Sequence, residues 1–372
     1  MACENSDFWP DGKAAIIDLS LERKVARPLS SMPSGQRETG CVRVLFATYP
    51  WAFVTPGGGE RQLLKYASNL PAHGIEVVLH DQWNPALDGV DAVHFFSCMG
   101  GSVHFCNFVS ERGRPLVITS SLWIDEATRH LYPIGEIRSQ LALADVVVTN
   151  SDLESEALAT VLDLPRDLFM TVMNGVDPRF AAPHDPSPFR ETYGIDGPFV
   201  LNVANIEKRK NQLNLIRALS RHDPPLVMIG QVREPAYADQ VFAEGEGRLR
   251  YLGFLEHESP LLPSAYAACA AFVLPSTLET PGLAALEAAA AGAPVVVTRT
   301  GAPTEYFGAL CEYVDPADPA DIARGIAAAL ASGPAPELSA HIIKNYTWPH
   351  VTAALPEVYR TAVERRHRAI GR

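Results

Sequence analysis

From residue 42 onward, short apolar runs alternate with segments whose apolar residues recur at helical spacing. VRVLFATY (42–49), IEVVLH (75–80), DAVHFF (91–96), PLVITSS (115–121) and DVVVTNS (145–151) are apolar at successive positions, as strands buried on both faces are. ERQLLKYASNL (60–70) shows the helical spacing that most of the intervening segments allow. After VMNGVDPRF (172–180) the pattern breaks at APHDPSPFRETYGIDGP (182–198), which is rich in proline and charge and reads as a linker. It restarts with FVLNVA (199–204), PLVMIG (225–230), RYLGF (250–254), AAFVLPS (270–276) and APVVVTR (293–299). WPHVTAALPEVYRTAVERR (348–366) reads as a final amphipathic helix, and residues 1–40 show no clear period.

This alternation predicts an α/β protein of two doubly wound, Rossmann-like domains whose parallel sheets are covered by helices on both sides. The expected division is an extension over 1–40, a first domain over 41–185, a second over 186–346, and a terminal helix over 347–372. Open parallel sheets bind ligands beyond the carboxyl ends of their strands, so two of them facing each other make a cleft.

Composition narrows the partners more than the fold. The chain has 372 residues, 47% apolar and 20% charged, within the range of ordinary globular proteins. A formal charge of −12 argues against nucleic acid as a general partner, since phosphate backbones call for a positive surface. No apolar run reaches the length of a membrane span, and the first thirty residues do not resemble a signal peptide. The six cysteines show no CxxC spacing, which points to reduced thiols in the cytoplasm and to no zinc site.

The candidate chemistry lies just after strands. In ETPGLAALEAAAAGAPVVVTRTG (279–301), Glu279 follows a strand, Pro281-Gly282 suits a helix start, and Glu287 falls within the helix. A helix start attracts phosphate, Gly282 allows close approach, and the Glu287 carboxylate can accept both hydroxyls of a ribose. The plain alternative makes Glu279 a cap and Glu287 a solvated residue. IEKRKNQ (206–212) puts Lys208, Arg209 and Lys210 after another strand, either to offset a diphosphate or as an ordinary solvated loop. PGGGERQ (56–62) sets three glycines before a helix, suited to an anion and a sugar, or simply a surface loop. A dinucleotide fingerprint fits it poorly, because Gln62 stands where the third glycine belongs, although Asp81 would suit that reading. DPADPAD (315–321) looks like helix capping rather than a metal cluster. His94 ends DAVHFF and either faces the cleft or is a hydrogen-bonded core residue.

Taken in order, PGGGERQ, TNSDLESEAL, VMNGVDPRF, IEKRKN, YLGFL, FVLPSTLETPGLAALEAAAAGAPVV and GAPTEYFG resemble the retaining glycosyltransferases of the GT-B fold, family four, over about residues 42–365. The resemblance implies a nucleotide-sugar donor, a UDP- or GDP-sugar, as substrate, with no cofactor and no required metal, and a terminal helix over 347–372 that crosses back to the first domain. It implies that Glu287 binds the ribose, and that Glu279 lies near the transferred sugar beside the amides of Gly282 and Leu283. Arg209 and Lys210 would hold the diphosphate, Gly58 and Gly59 would face the donor, and Phe254 and Leu255 would run beside the base. His94 stands as an acceptor-side catalytic candidate with Glu279, Arg209 and Lys210. Thr280-Pro281 replaces the family's frequent Gly-Phe, and Ala204 stands where many members carry arginine. The acceptor would be a saccharide, a lipid-linked molecule or a small molecule, in polysaccharide or glycoconjugate biosynthesis. The basic ends LERKVARP (21–28) and ERRHRAIGR (364–372) suit either peripheral membrane contact or simple solvation. The rival functions are a catalytically silent nucleotide-sugar binder and an NAD-dependent oxidoreductase.

Overall fold

The computed structural model describes residues 42–54, 57–85, 87–99, 101–181 and 183–371. The extension expected over 1–40, with its basic segment, lies outside the described residues, as do Cys3, Cys41 and Pro56. Two six-stranded parallel sheets organise the chain. The first contains β1 (Val42–Thr48), β2 (Ile75–Leu79), β3 (Ala92–Phe96), β4 (Leu116–Thr119), β5 (Val146–Thr149) and β6 (Phe169–Thr171) in the order β2-β1-β3-β4-β5-β6. The second contains β7 (Val200–Val203), β8 (Leu226–Ile229), β9 (Leu249–Tyr251), β10 (Ala271–Leu274), β11 (Val295–Thr298) and β12 (Glu312–Val314) in the order β12-β11-β10-β7-β8-β9.

These orders decide where a ligand can sit. Each reverses direction once, between β1 and β3 in the first sheet and between β7 and β10 in the second. Connections leaving the two central strands there go to opposite faces and leave a crevice at the carboxyl edge. The glycine segment follows β1, the basic segment follows β7, and the Glu279 segment follows β10. All three therefore open onto those crevices.

Burial on both faces explains the unbroken apolar strands. Leu45, Phe95, Ile118 and Val147 pack on one side of the first sheet, and Phe46, Val117 and Val148 on the other. That second side is closed by the chain's end, through Trp348, Leu355, Val358 and Tyr359. The tail is not one continuous helix: Trp348–Val351 and Leu355–Ala369 are separated by a 3₁₀ turn, Thr352–Ala354. Pro356 has no N–H to continue the first helix but suits the first turn of the second.

The stretch read as a linker is shorter than its composition suggests. Ser187–Tyr193 is helical, and Phe189 is fully buried in the second core. The chain crosses between sheets at Asn174–Asp177 and returns at Tyr346–Trp348. The two crossings are bonded side by side, Val176 N–H donating to Tyr346 O and Trp348 N–H to Val176 O. Gly175 is needed at that contact, since a Cβ there would stand 2.6 Å from the Trp348 nitrogen.

Candidate functional site

The β7 and β10 segments are fastened together before any side chain acts. Thr277 N–H donates to Arg209 O at 2.9 Å, and Asn211 Nδ2 donates to Pro275 O. This sets Lys210 Nζ 2.5 Å from Glu279 Oε1, with the Arg209 guanidinium 3.9 Å from the same oxygen. Glu279 is buried and Lys210 largely so, at 13% side-chain exposure, whereas Arg209 is half exposed at the cleft mouth. Burial alone would raise the Glu279 carboxyl, but the Lys210 and Arg209 charges outweigh it and hold it below the usual carboxylate range. Glu279 is thus an ionised, buried group and not the helix cap. The N-cap of Leu283–Ala290 is Gly282, at φ +87°, a conformation that favours glycine. A Cβ at Gly282 would also come within 2.9 Å of Leu274 Cδ2.

One turn into that helix, Glu287 is only 5% exposed, which excludes the solvated-face alternative. Its Oε1 accepts from His257 Nε2 at 2.8 Å and its Oε2 from the Tyr266 hydroxyl at 2.8 Å. Arg61, from the first domain, reaches Oε1 at 3.6 Å. Burial pushes this carboxyl up, and the His257 bond, the Arg61 charge and the Tyr266 hydroxyl together bring it below the ordinary value. Each carboxylate oxygen keeps acceptor capacity for a further donor, so a diol can join the cluster without displacing it.

The glycine segment faces this helix start. A Cβ on Gly58 would lie 3.7 Å from Leu283 Cδ1, and one on Gly59 would lie 3.9 Å from Ser121 Oγ. The Glu60 carboxylate folds back to accept from Gly57 N–H at 2.7 Å and from the Tyr49 hydroxyl at 2.9 Å. Gly58, Gly59, Arg209, Lys210, Glu279, Gly282, Leu283 and Glu287 therefore line one cleft. On the β9 side, Phe254 is exposed and Leu255 leans on the second core.

His94 does not belong to the cleft, and its catalytic role is corrected. It is fully buried, with Nδ1 2.9 Å from the Tyr359 hydroxyl and Nε2 2.7 Å from Thr119 Oγ1. Desolvation lowers its pKa to about 3, so it is a neutral core residue that ties the terminal helix to the sheet. The DPADPAD segment behaves as capping: Asp318 accepts from Ala320 N–H and Asp321 from Asp315 N–H. The basic tail is largely engaged, since Arg365 donates to Asp145 O and Arg366 to Asp145 Oδ2, just before β5 at the amino edge of the first sheet. No helix among the described residues is long and apolar enough to cross a membrane.

His257, Tyr266 and Arg61 escaped the sequence reading. Arg61 sits in the quoted PGGGERQ and carried a signal; His257 and Tyr266 lie in segments without one. A second missed group spans the domains. The Glu305 carboxylate accepts from Asp152 and Leu153 N–H at 2.9 and 2.6 Å, at the start of helix Asp152–Leu162. Beside it the Tyr306 hydroxyl donates to Asn150 O and accepts from Asn174 N–H at 2.8 Å.

Comparison with known proteins bears on the family and the fold. Residues 188–347 match the family model for glycosyl transferases group 1. An uncharacterized glycosyltransferase of Methanocaldococcus jannaschii is 28% identical over 59% of this chain and 60% of its own length. The Escherichia coli O-antigen chain mannosyltransferase B is 29% identical over 50% of this chain and 52% of its own. For the D-inositol 3-phosphate glycosyltransferase of Acidothermus cellulolyticus the figures are 30%, 63% and 57%. The chain thus spans between about half and three fifths of these curated relatives. Among solved structures, Anabaena HepE in complex with UDP and glucose aligns with a TM-score of 0.69 at 20% identity, over 86% of this chain and 99% of that one. Sucrose-phosphate synthase from Thermosynechococcus elongatus aligns with a TM-score of 0.70 at 18% identity, over 86% and 98%. Likeness at such identities speaks for the fold.

Proposed function

Residues 188–347 place the second domain in the glycosyl transferases group 1 family, and the two facing sheets are the GT-B fold; from that premise we propose that the protein transfers a hexosyl group from a nucleoside-diphosphate sugar, with retention of configuration and without a required metal ion. UDP or GDP is the leaving nucleotide of this reading, and the acceptor is a hydroxyl of a saccharide, lipid-linked or small molecule in glycoconjugate synthesis. The observation that carries it is the pair of buried, ionised glutamates at one cleft, opposite the glycine turn.

Each group has a task in this reading. Glu287, held by His257 and Tyr266, accepts the ribose hydroxyls. Lys210 and Arg209 offset the diphosphate, and the free amides at the start of Leu283–Ala290 point toward the same charge. Glu279, fixed by Lys210, accepts from a hydroxyl of the transferred sugar. The bond between the anomeric carbon and the phosphate oxygen breaks while the acceptor oxygen bonds that carbon on the same face. The acceptor's proton passes to the departing phosphate oxygen. The protein contributes positioning and stabilises charge developing on the diphosphate, and closure of the domains keeps water out.

Glu287→Gln removes one charge at nearly constant shape. It is expected to weaken UDP or GDP binding by about tenfold or more, some 1.4 kcal/mol, in titration calorimetry. Equal affinity in the variant and the parent would remove Glu287 from the nucleotide site. Nucleotide release from a panel of donor sugars separates a transferase from a silent binder.

A further inference from the structure

The two walls of the cleft are joined by a buried route that bypasses the open space between them. On the Glu279 wall, Glu279 N–H donates to Thr300 O at 3.2 Å, and Ala302 N–H donates back to Glu279 O at 2.9 Å. The helix Pro303–Phe307 starts at the next residue, so backbone bonds alone set its place relative to Glu279. That helix carries Tyr306, which is fully buried. Its ring lies 5.0 Å from that of Tyr346 on the returning crossing, and its hydroxyl accepts from Asn174 N–H on the outgoing one. The hydroxyl's own proton is given to Asn150 O in the first domain. Burial drives the phenol pKa well above its ordinary value, so that proton stays in place.

From Asn150 the route runs on to the glycine turn. Asn150 follows β5 and is buried, and its Oδ1 accepts from Gln62 Nε2 at 2.7 Å. Gln62, buried as well, sits one turn into the helix Gly58–Asn69, which the glycine turn opens. Its Nε2 also donates to the Tyr66 hydroxyl at 2.9 Å, and its Oε1 accepts from Ser121 Oγ at 3.0 Å. That Ser121 oxygen is the one a Cβ on Gly59 would meet. Both ends of the Gln62 amide are therefore committed, and turning it would leave a buried donor or acceptor unmatched.

Other contacts across the cleft lack this seclusion. Arg61 reaches Glu287 over 3.6 Å with 36% of its side chain exposed, and Glu305 caps the amides of Asp152 and Leu153, which are exposed. Water competes for both. Along the Tyr306 route it does not, and in such surroundings each bond is strong and each missing partner costly.

We propose that the Tyr306 hydroxyl is a positioning group that, through Asn150 and Gln62, holds the glycine turn of the first domain in register with Glu279 in the second. Fully buried, it acts through other residues and not on a substrate. The groups assigned to the nucleotide, Glu287, Lys210, Arg209 and the start of Leu283–Ala290, all lie in the second domain and do not depend on it. The glycine turn does, and with it the turnover of a bound donor. That last step rests on the glycosyltransferase reading; the coupling of the two walls does not.

Tyr306→Phe keeps the ring against Tyr346 and removes only the hydroxyl. In the full chain, amide hydrogen exchange read by mass spectrometry is expected to quicken about fivefold or more over residues 58–62, in the other domain. UDP or GDP affinity is expected to stay within about twofold of the parent, while nucleotide release from a donor sugar falls about tenfold or more. Gln62→Met cuts the same route from its far end, so the double variant is expected to be no slower than the slower single one. Should Tyr306→Phe lose its native melting transition, Gln62→Met carries the test. Exchange over 304–307 then quickens although the change lies in the first domain, and parent-like exchange there overturns the proposal. It is also overturned by parent-like exchange over 58–62 in a folded Tyr306→Phe, by nucleotide affinity falling in step with turnover, or by losses that multiply in the double variant. A parent that releases nucleotide from no donor, with the exchange coupling intact, would leave the positioning role standing and sink the transferase reading instead.

Discussion

Lys210 and Glu279 are the residues on which the cleft depends most directly. Each is a charge out of water that the other makes tolerable, with Nζ and Oε1 2.5 Å apart. Removing one partner strands the other, which costs about 3–5 kcal/mol, whereas replacing both with neutral groups recovers much of that. Lys210→Met is therefore expected to lower stability by several kcal/mol, and Lys210→Met combined with Glu279→Gln to lower it less, with donor turnover lost in both. Urea denaturation of the single and double variants measures this; strict additivity would contradict the pairing. The two glutamates were legible in the sequence because E-x7-E straddles a strand end and a helix start. Their state was not legible: nothing local separates a solvated glutamate from one buried against His257, 30 positions away. His94 shows the same blindness in reverse. A polar residue closing an apolar strand looks poised for chemistry, and only the packing of Tyr359, 265 positions later, makes it core.

At the scale of elements, apolar patterning found the strands that are covered on both faces and passed over β6 and β12. Each of those has three residues and lies at a sheet edge. The tail was likewise visible as an amphipathic segment, whereas its break at Thr352–Ala354 was not read. The helix Asp152–Leu162 has an unusual start, since it is capped twice. Ser151 Oγ accepts from Glu154 N–H within its own domain, and Glu305 accepts from Asp152 and Leu153 across the cleft. A carboxylate at a helix N-terminus contributes about 0.5–2 kcal/mol. Glu305→Ala is accordingly expected to lower the unfolding free energy by about 1 kcal/mol and to raise the radius of gyration in small-angle scattering as the domains part. A cap acting within one domain would shift the first quantity and leave the second alone.

Across the whole molecule, stability at different pH follows from two buried groups that the cleft chemistry does not use. His94 has a pKa of about 3 in the fold against 6.5 when exposed, so below 6.5 the unfolded chain takes a proton that the native state refuses. Its contribution is complete above pH 6.5 and is lost as the pH falls toward 3. Glu154 behaves oppositely. Burial raises its carboxyl to about 7, against the bonds it accepts from Ser120 Oγ and the Asn150 and Leu122 amides, so the native state keeps a proton that the unfolded chain releases above 4.5. That contribution is complete below pH 4.5 and fades as the pH climbs to 7. The two losses run in opposite directions, which places the stability maximum of this pair between them. Going from pH 7.5 to 5, His94 alone withdraws about 2 kcal/mol, at about 1.4 kcal/mol per unit below 6.5. His94→Gln keeps a side chain able to bridge Tyr359 and Thr119 but cannot take a proton. Its urea unfolding free energy is expected to trail the parent at pH 7.5 and to close about 2 kcal/mol of that gap at pH 5. Glu154→Gln serves as the opposing control, gaining on the parent as the pH rises from 4.5 to 7. Parallel pH profiles for the parent and His94→Gln would mean that the terminal helix does not seal His94 from water, and with it that the tail does not close the first domain's core.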